Sequence, residues 1–264
     1  MVLLGYLKEF GHLYGLLKKN KYKMKNIIAY SLWGDKPIYW KGALSNIELS
    51  KIYFPEFICR FYIDENCDSK LIETIKGDNV EVVLVGKDKE YQGMYWRFEA
   101  SQEEDVDVFL SRDCDSRLSE RESQAVNEWI LSNKDFHIMR DHPYHTVPVL
   151  GGMWGSKNGL MRKINLLKLI EEWRVKREQD IVRISGHRQH SINAYGDDQD
   201  FLREFIYPIV KDNVMEHSEF GLNFGGEIRN FPTIRNNYEF VGDVFDENGV
   251  RHPDYWLLIK NVIG

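Results

Sequence analysis

The residues whose types and spacing most directly suggest chemistry are two aspartates one position apart, Asp113 and Asp115, in the run Ser111-Arg112-Asp113-Cys114-Asp115. Two carboxylates so spaced in a turn can reach one hard cation, which prefers oxygen ligands and can keep positions open for phosphate oxygens. The same triplet can also be an acidic turn that caps the next helix or pairs with Arg112 and Arg117. Spacing alone does not choose between these readings. Nineteen aspartates in 264 residues should give about 1.4 such triplets by chance, and the chain has three. Position is more informative. Asp105 and Asp107 precede an apolar run and Asp198 and Asp200 open a helical one, whereas Asp113 and Asp115 follow the apolar run 106–110 at its carboxyl end. In open α/β sheets, ligands bind at that edge.

Other residues with chemical potential are scattered. Asp197, Asp198, Gln199 and Asp200 sit at a helix start, where exposed amides favour carboxylates even without a catalytic duty. Arg97 can answer phosphate charge. Its neighbours Tyr95, Trp96 and Phe98 either line a sugar pocket or pack in the core. Asp141, His142 and His145, with His187 and His190 further on, supply enough ligands for zinc but lack the helical HExxH arrangement.

The elements that must position these groups are legible in outline. Short β-rich runs alternate with helical stretches, the mark of βαβ units around a largely parallel sheet. Strands are expected at 27–32, 57–63, 80–85, 106–110, 136–139 and 213–215. Pro37 suits the first turn of a helix running to about residue 53, and Asp68 suits the N-cap of a short helix ending near Gly77. Ser119 followed by Glu122 reads as a capping box ahead of an apolar face at Ala125, Val126, Trp129 and Ile130. Further helices are expected at 161–176 and 200–211.

Composition narrows the class. Lys plus Arg is 35 against 41 Asp plus Glu, a net charge of −6, which disfavours a phosphate-coating grip on nucleic acid. Residues 1–26 carry +5 and the remainder −11. Leu3, Leu7, Phe10, Leu13, Tyr14 and Leu17 give residues 1–23 an apolar stripe beside the lysines, suited to docking on the domain, to a homodimer contact or to peripheral contact with an anionic membrane. Three cysteines without a CxxC pair, no secretory signal and no transmembrane run point to the cytosol.

The stretch 107–121 (DVFLSRDCDSRLSER) resembles the DxD segment of GT-A glycosyltransferases, especially those of large DNA viruses and bacterial surface-glycan clusters. The likeness extends to 28–35 (IAYSLWGD), 94–98, 141–155 (DHPYHTVPVLGGMWG) and 195–202 (YGDDQDFL), and spans about 26–245. It implies a GT-A-like α/β domain over 24–264, with a nucleotide-binding half at about 24–118 and an acceptor and metal-completing half at about 119–264. It further implies transfer of a sugar from a nucleotide diphosphate sugar to a glycan or glycoconjugate hydroxyl. By that resemblance Asp113 and Asp115 hold Mn2+ or Mg2+, with His217 as the late histidine completing the site. Tyr30, Ser31 and Leu32 lie near the base and ribose. Arg97, Cys114, Gly151, Gly152 and Trp154 lie on the donor, and Asp141, His142 and Asp197 lie toward the acceptor. Asp198 is the base if the reaction inverts the sugar, and none is needed if it retains. A sugar-nucleotide nucleotidyltransferase and a non-catalytic glycan-binding module are the rival readings. The first is disfavoured because the loop Trp33-Gly34-Asp35 lacks a Gly-rich basic phosphate cradle.

Overall fold

The structure is a computed structural model that describes residues 24–86, 93–184 and 196–263. Residues 1–23, His187, His190 and Tyr195 lie outside the described residues. The strands are β1 (Lys25–Leu32), β2 (Phe57–Asp64), β3 (Val80–Val85), β4 (Val106–Ser111), β5 (Phe136–Arg140), β6 (Trp154–Lys157), β7 (Val214–Ser218) and β8 (Glu227–Arg229). They form one sheet in the order β3-β2-β1-β4-β6-β5-β7-β8. Every neighbouring pair is parallel except those made by β6, which runs antiparallel to β4 and β5. This mixed, mainly parallel sheet flanked by helices is the α/β layout expected.

Buried parallel strands need apolar residues on both faces, and β1 supplies them by alternation. Ile27 and Ala29 join one core, while Ile28, Tyr30 and Leu32 join the other. The second core is covered by α1 (Pro37–Tyr53), α2 (Ser69–Ile72) and α4 (Glu120–Leu131). The first is covered by α3 (Gly93–Trp96) with its 3-10 continuation Arg97–Gln102, and by α5 (Leu160–Lys163), α6 (Leu166–Ile184), α7 (Asp197–Phe201) and α8 (Tyr207–Val210). A last helix, α9 (Pro253–Ile263), follows a long segment that returns to the sheet's carboxyl edge. Among the described residues no helix is long and apolar enough to cross a membrane.

Local signals account for most boundaries. Pro37 stands in the first turn of α1, where a missing N–H costs no helical bond. The Asp68 carboxylate accepts the Lys70 N–H at 2.9 Å. Ser119 Oγ accepts the Glu122 N–H at 3.2 Å, but the reciprocal half of the capping box is absent, because the Glu122 carboxylate pairs with the buried Arg112 guanidinium instead.

Four expectations need correction. Strand β6 was not anticipated, since Trp-Gly-Ser-Lys has neither β-branched residues nor alternation, yet all four residues are buried. The helix expected at 161–176 is two helices, broken at Asn165 with φ of 57°. The helix expected at 200–211 begins at Asp197 and passes through a π turn at Leu202–Ile206. Pro208 lies just beyond and cannot donate a regular helical bond back to Glu204. Strand β7 continues to Ser218, which places His217 inside the sheet and not after it.

Candidate active site

A cavity opens at the carboxyl edge of the sheet, where β1 and β4 end. Ser31, Leu32 and Trp33 come from the end of β1, and Asp113, Cys114, Asp115 and Ser116 from the turn after β4. Gly151 and Gly152 precede β6, and Asp198 with Gln199 opens α7. Gly242 and Val244 of the C-terminal segment form a further wall.

Arg97 is the centre of this arrangement. Its side chain is buried, with Nη1 donating to the Asp113 carboxylate and to the Arg112 carbonyl (2.8 Å), and Nη2 donating to Asp198 Oδ2 (3.1 Å). The Arg97 N–H is itself fixed by Ser31 Oγ at 3.1 Å. One guanidinium thus ties the end of β4 to the start of α7, using the planar fork that suits it to two carboxylates. The turn Gly151-Gly152 is pressed against both acids. A Cβ on Gly151 would overlap the Asp198 carboxylate, and a Cβ on Gly152 would overlap that of Asp113. Ser111 Oγ donates to the Gly151 carbonyl at 2.6 Å and holds the turn there.

The turn after β4 is braced from behind. A Cβ on Gly42 of α1 would overlap the Cys114 carbonyl, so only glycine lets that helix approach. Arg117 Nη1 donates to the carbonyls of Cys114 (3.3 Å) and Ser116 (2.9 Å). On the other side Phe245 N–H donates to the Asp115 carbonyl at 3.0 Å, and Ser116 bridges to Val244. The Cys114 thiol is pushed up by burial and donates to the Ser31 carbonyl at 3.6 Å, which makes it a packing group and not a nucleophile.

Charge in the cavity is unbalanced. Burial, followed by the adjacent Asp113 carboxylate, pushes Asp115 up to about 6. Burial also pushes Asp198 up to about 6, with Asp113 adding to the shift and Arg97 opposing it. Among the described residues that line the cavity, three carboxylates stand against the guanidinium of Arg97, a balance that favours a diphosphate accompanied by a cation. A hard divalent cation fits this deficit, and Asp113 and Asp115 are the oxygen donors open to it. Among the described residues no cluster of three or more metal-ligating side chains occurs.

Several expected site residues lie elsewhere. Tyr30 is fully buried and stacks on Phe61 at 4.8 Å, because neighbouring strand residues face opposite sides and Ser31 takes the cavity side. Trp154 is fully buried among Phe98, Phe109 and Phe136 and does not reach the cavity. His217 is buried between His137 Nε2 (2.8 Å from its Nδ1) and Glu128 (3.4 Å from its Nε2), so both ring nitrogens are engaged away from Asp113 and Asp115. Asp197 accepts from the Tyr95 hydroxyl (2.8 Å), Trp173 Nε1 (3.1 Å) and Arg177 Nε (2.9 Å), and anchors α6 to α7.

Asp141 is likewise structural. It accepts from Arg121 (2.7 and 2.9 Å), Arg235 (2.5 Å) and Val241 N–H (2.9 Å). His142 accepts the Tyr144 N–H and donates to the Tyr255 carbonyl, each at 3.0 Å. His145 Nδ1 accepts the Asp141 N–H at 3.0 Å. The zinc reading of this cluster therefore fails among its described members.

Sequence reasoning missed Trp33, Tyr39, Met94, Gln199, Gly242 and Val244 as lining residues. Trp33 had a signal, since it directly follows β1 and is 47% exposed despite its size. Gly93 leaves room for its ring, where any Cβ would overlap the indole. Gly242 and Val244 had none, because they reach the cavity only by long-range return of the chain.

No family model matches the chain, and no curated protein matches it. Among solved structures it is similar to a glycosyltransferase involved in the glycosylation of the major capsid of PBCV-1. The identity is 15%, over 74% of this chain and 81% of that one, with a TM-score of 0.43. It is also similar to 4-diphosphocytidyl-2C-methyl-D-erythritol synthase from Anaerococcus prevotii DSM 20548, at 12% identity over 75% of this chain and 90% of that one, with a TM-score of 0.42.

Proposed function

We propose that this chain is a metal-dependent glycosyltransferase, moving a sugar from a nucleoside diphosphate sugar to a hydroxyl of a glycan or glycoconjugate. The observation that carries the reading is the convergence, among the described residues, of Asp113, Asp115 and Asp198 on one cavity, with the guanidinium of Arg97 holding two of them. An excess of carboxylate at the carboxyl edge of a sheet suits a cation-assisted phosphate ligand and suits a free anion poorly.

In this reaction the acceptor oxygen bonds to the anomeric carbon as the bond from that carbon to the diphosphate oxygen breaks. In an inverting reaction Asp198 takes the acceptor's proton, and its carboxyl at about 6 leaves it ionised and still basic at neutral pH. Arg97 fixes the orientation of Asp198 and Asp113 with respect to each other. Asp113 and Asp115 would hold a Mn2+ or Mg2+ ion, which would supply Lewis-acid compensation for the departing diphosphate. Ser31, Leu32 and the exposed ring of Trp33 receive the nucleoside at the end of β1. Positioning and charge compensation provide most of the acceleration, since the diphosphate is already a good leaving group.

The test is a panel of sugar nucleotides incubated with manganese, assayed for slow donor hydrolysis. The expected product is a nucleoside diphosphate, formed only with metal and lost in Asp115→Ala. Release of pyrophosphate would assign the chain to the nucleotidyltransferases instead. Sugar binding by a chain with no metal-linked affinity for any nucleoside diphosphate would make it a glycan-binding module.

A further inference from the structure

Away from the cavity, an exposed cluster of rings occupies the same edge of the sheet. Tyr144, in the loop after β5, is 63% exposed, an unusual state for so large a ring. Tyr255, in α9, stands 6.3 Å from it at 87°, and His252 stands 4.8 Å from Tyr255. The two tyrosines make a right-angled corner. Among the described residues neither phenol hydroxyl has a hydrogen-bond partner.

The corner is rigid because one buried imidazole holds both sides of it. His142 accepts the Tyr144 N–H at Nδ1 and therefore carries its proton on Nε2, which it donates to the Tyr255 carbonyl. Phe240 packs against the same imidazole at 4.5 Å. The loop that carries Tyr144 continues into Gly151 and Gly152, and the His252 N–H donates to the Val244 carbonyl at 3.1 Å. Both flanks of the corner are thus built onto walls of the cavity, since Gly152 and Val244 line it.

We infer that this corner, formed by Tyr144, His252 and Tyr255, is a sugar-binding subsite that seats a pyranose of the acceptor glycan. A pyranose has an apolar face of C–H groups that lies on an aromatic ring and a rim of hydroxyls that seek neutral donors and acceptors. The corner offers two ring walls, two free phenol hydroxyls and an exposed imidazole. Because its backbone is already fixed, little ordering cost accompanies binding. Its backbone attachment to two walls of the cavity favours a glycan over a second protein copy as the occupant. That the bound sugar belongs to an acceptor rests on the transferase reading; that the corner binds sugar does not.

Saturation-transfer NMR with methyl α- and β-glycosides of glucose, galactose, mannose and N-acetylglucosamine tests the inference on the full chain. At least one glycoside should receive saturation at its ring C–H protons, with the signal abolished in Tyr144→Ala and weakened in Tyr255→Ala. Tyr144→Phe, which keeps the ring, should retain most of it. Asp115→Ala should leave it intact while removing metal-linked nucleotide affinity. Absence of transfer with every glycoside, or a signal indifferent to Tyr144→Ala, overturns the inference. So does a change of oligomeric state in Tyr144→Ala by sedimentation, which would make the corner a contact between copies of the chain. Glycoside binding without nucleotide binding would sink the transferase reading alone.

Discussion

Gly152 lies so close to Asp113 that a single added Cβ would occupy the position of the aspartate's carboxylate. Neither Gly152 nor Gly151 has positive φ, so what each provides is room and not conformational freedom. Gly152→Ala should therefore displace Asp113 without unfolding the chain. The expected result is an affinity for nucleoside diphosphate plus manganese weakened by about ten- to a hundredfold, read by calorimetry. An unchanged affinity would show that the displaced carboxylate is not a ligand.

Arg97 bonds to two acids from opposite sides of the cavity, and a lysine has no fork with which to do so. Arg97→Lys should keep the charge and lose the geometry, with kcat falling about a hundredfold and little change in melting temperature. Arg97→Ala leaves Asp198 buried without its cation and should cost about 3–5 kcal/mol of stability, measured by urea unfolding.

Asp198 sets a pH dependence of known sign. Its folded-state carboxyl titrates near 6, above the ordinary value near 3.9, so the transfer rate should climb about tenfold per pH unit up to roughly 6 and then level off. The stability consequence runs the other way. A raised carboxyl favours the folded state at acid pH and loses that contribution as pH rises through the folded value. Asp198→Asn should thus gain stability relative to the parent between about pH 4 and pH 7, by at most about 3 kcal/mol, while losing transfer at every pH.

Asp141 separates a structural role from an acceptor role. It is fully buried and satisfied by two arginines and one backbone amide. Asp141→Asn should destabilise the fold by about 3–5 kcal/mol, seen as a lowered unfolding midpoint. An acceptor-binding role would instead raise KM in a protein of unchanged stability.

What the sequence disclosed depended on how local each signal was. The first half of the sheet was legible because β1, β2, β3 and β4 are runs of apolar and β-branched residues punctuated by Pro37, Asp68 and Ser119. Asp113 and Asp115 were found by their place at the end of a strand, and Asp198, Gly151 and Gly152 by the resemblance alone. The errors share one cause. Tyr30, Trp154, Asp141, His142, Asp197 and His217 are polar or aromatic residues near the right elements, but which face they take is decided by packing partners distant in the chain. Asp197 and Asp198 are adjacent in sequence, yet the first faces Trp173 and Arg177 while the second faces the cavity. No local pattern distinguishes them.

The hydrogen bond from Phe245 to the Asp115 carbonyl and the bridge from Val244 to Ser116 carry a consequence for biosynthesis. Asp113, Asp115 and Asp198 all precede Gly242 and Val244 in the chain, so the wall that encloses the acids is made after them. A nascent chain that has already formed its sheet would still lack a complete pocket, so competence to hold a donor should arise only once synthesis has passed this strap.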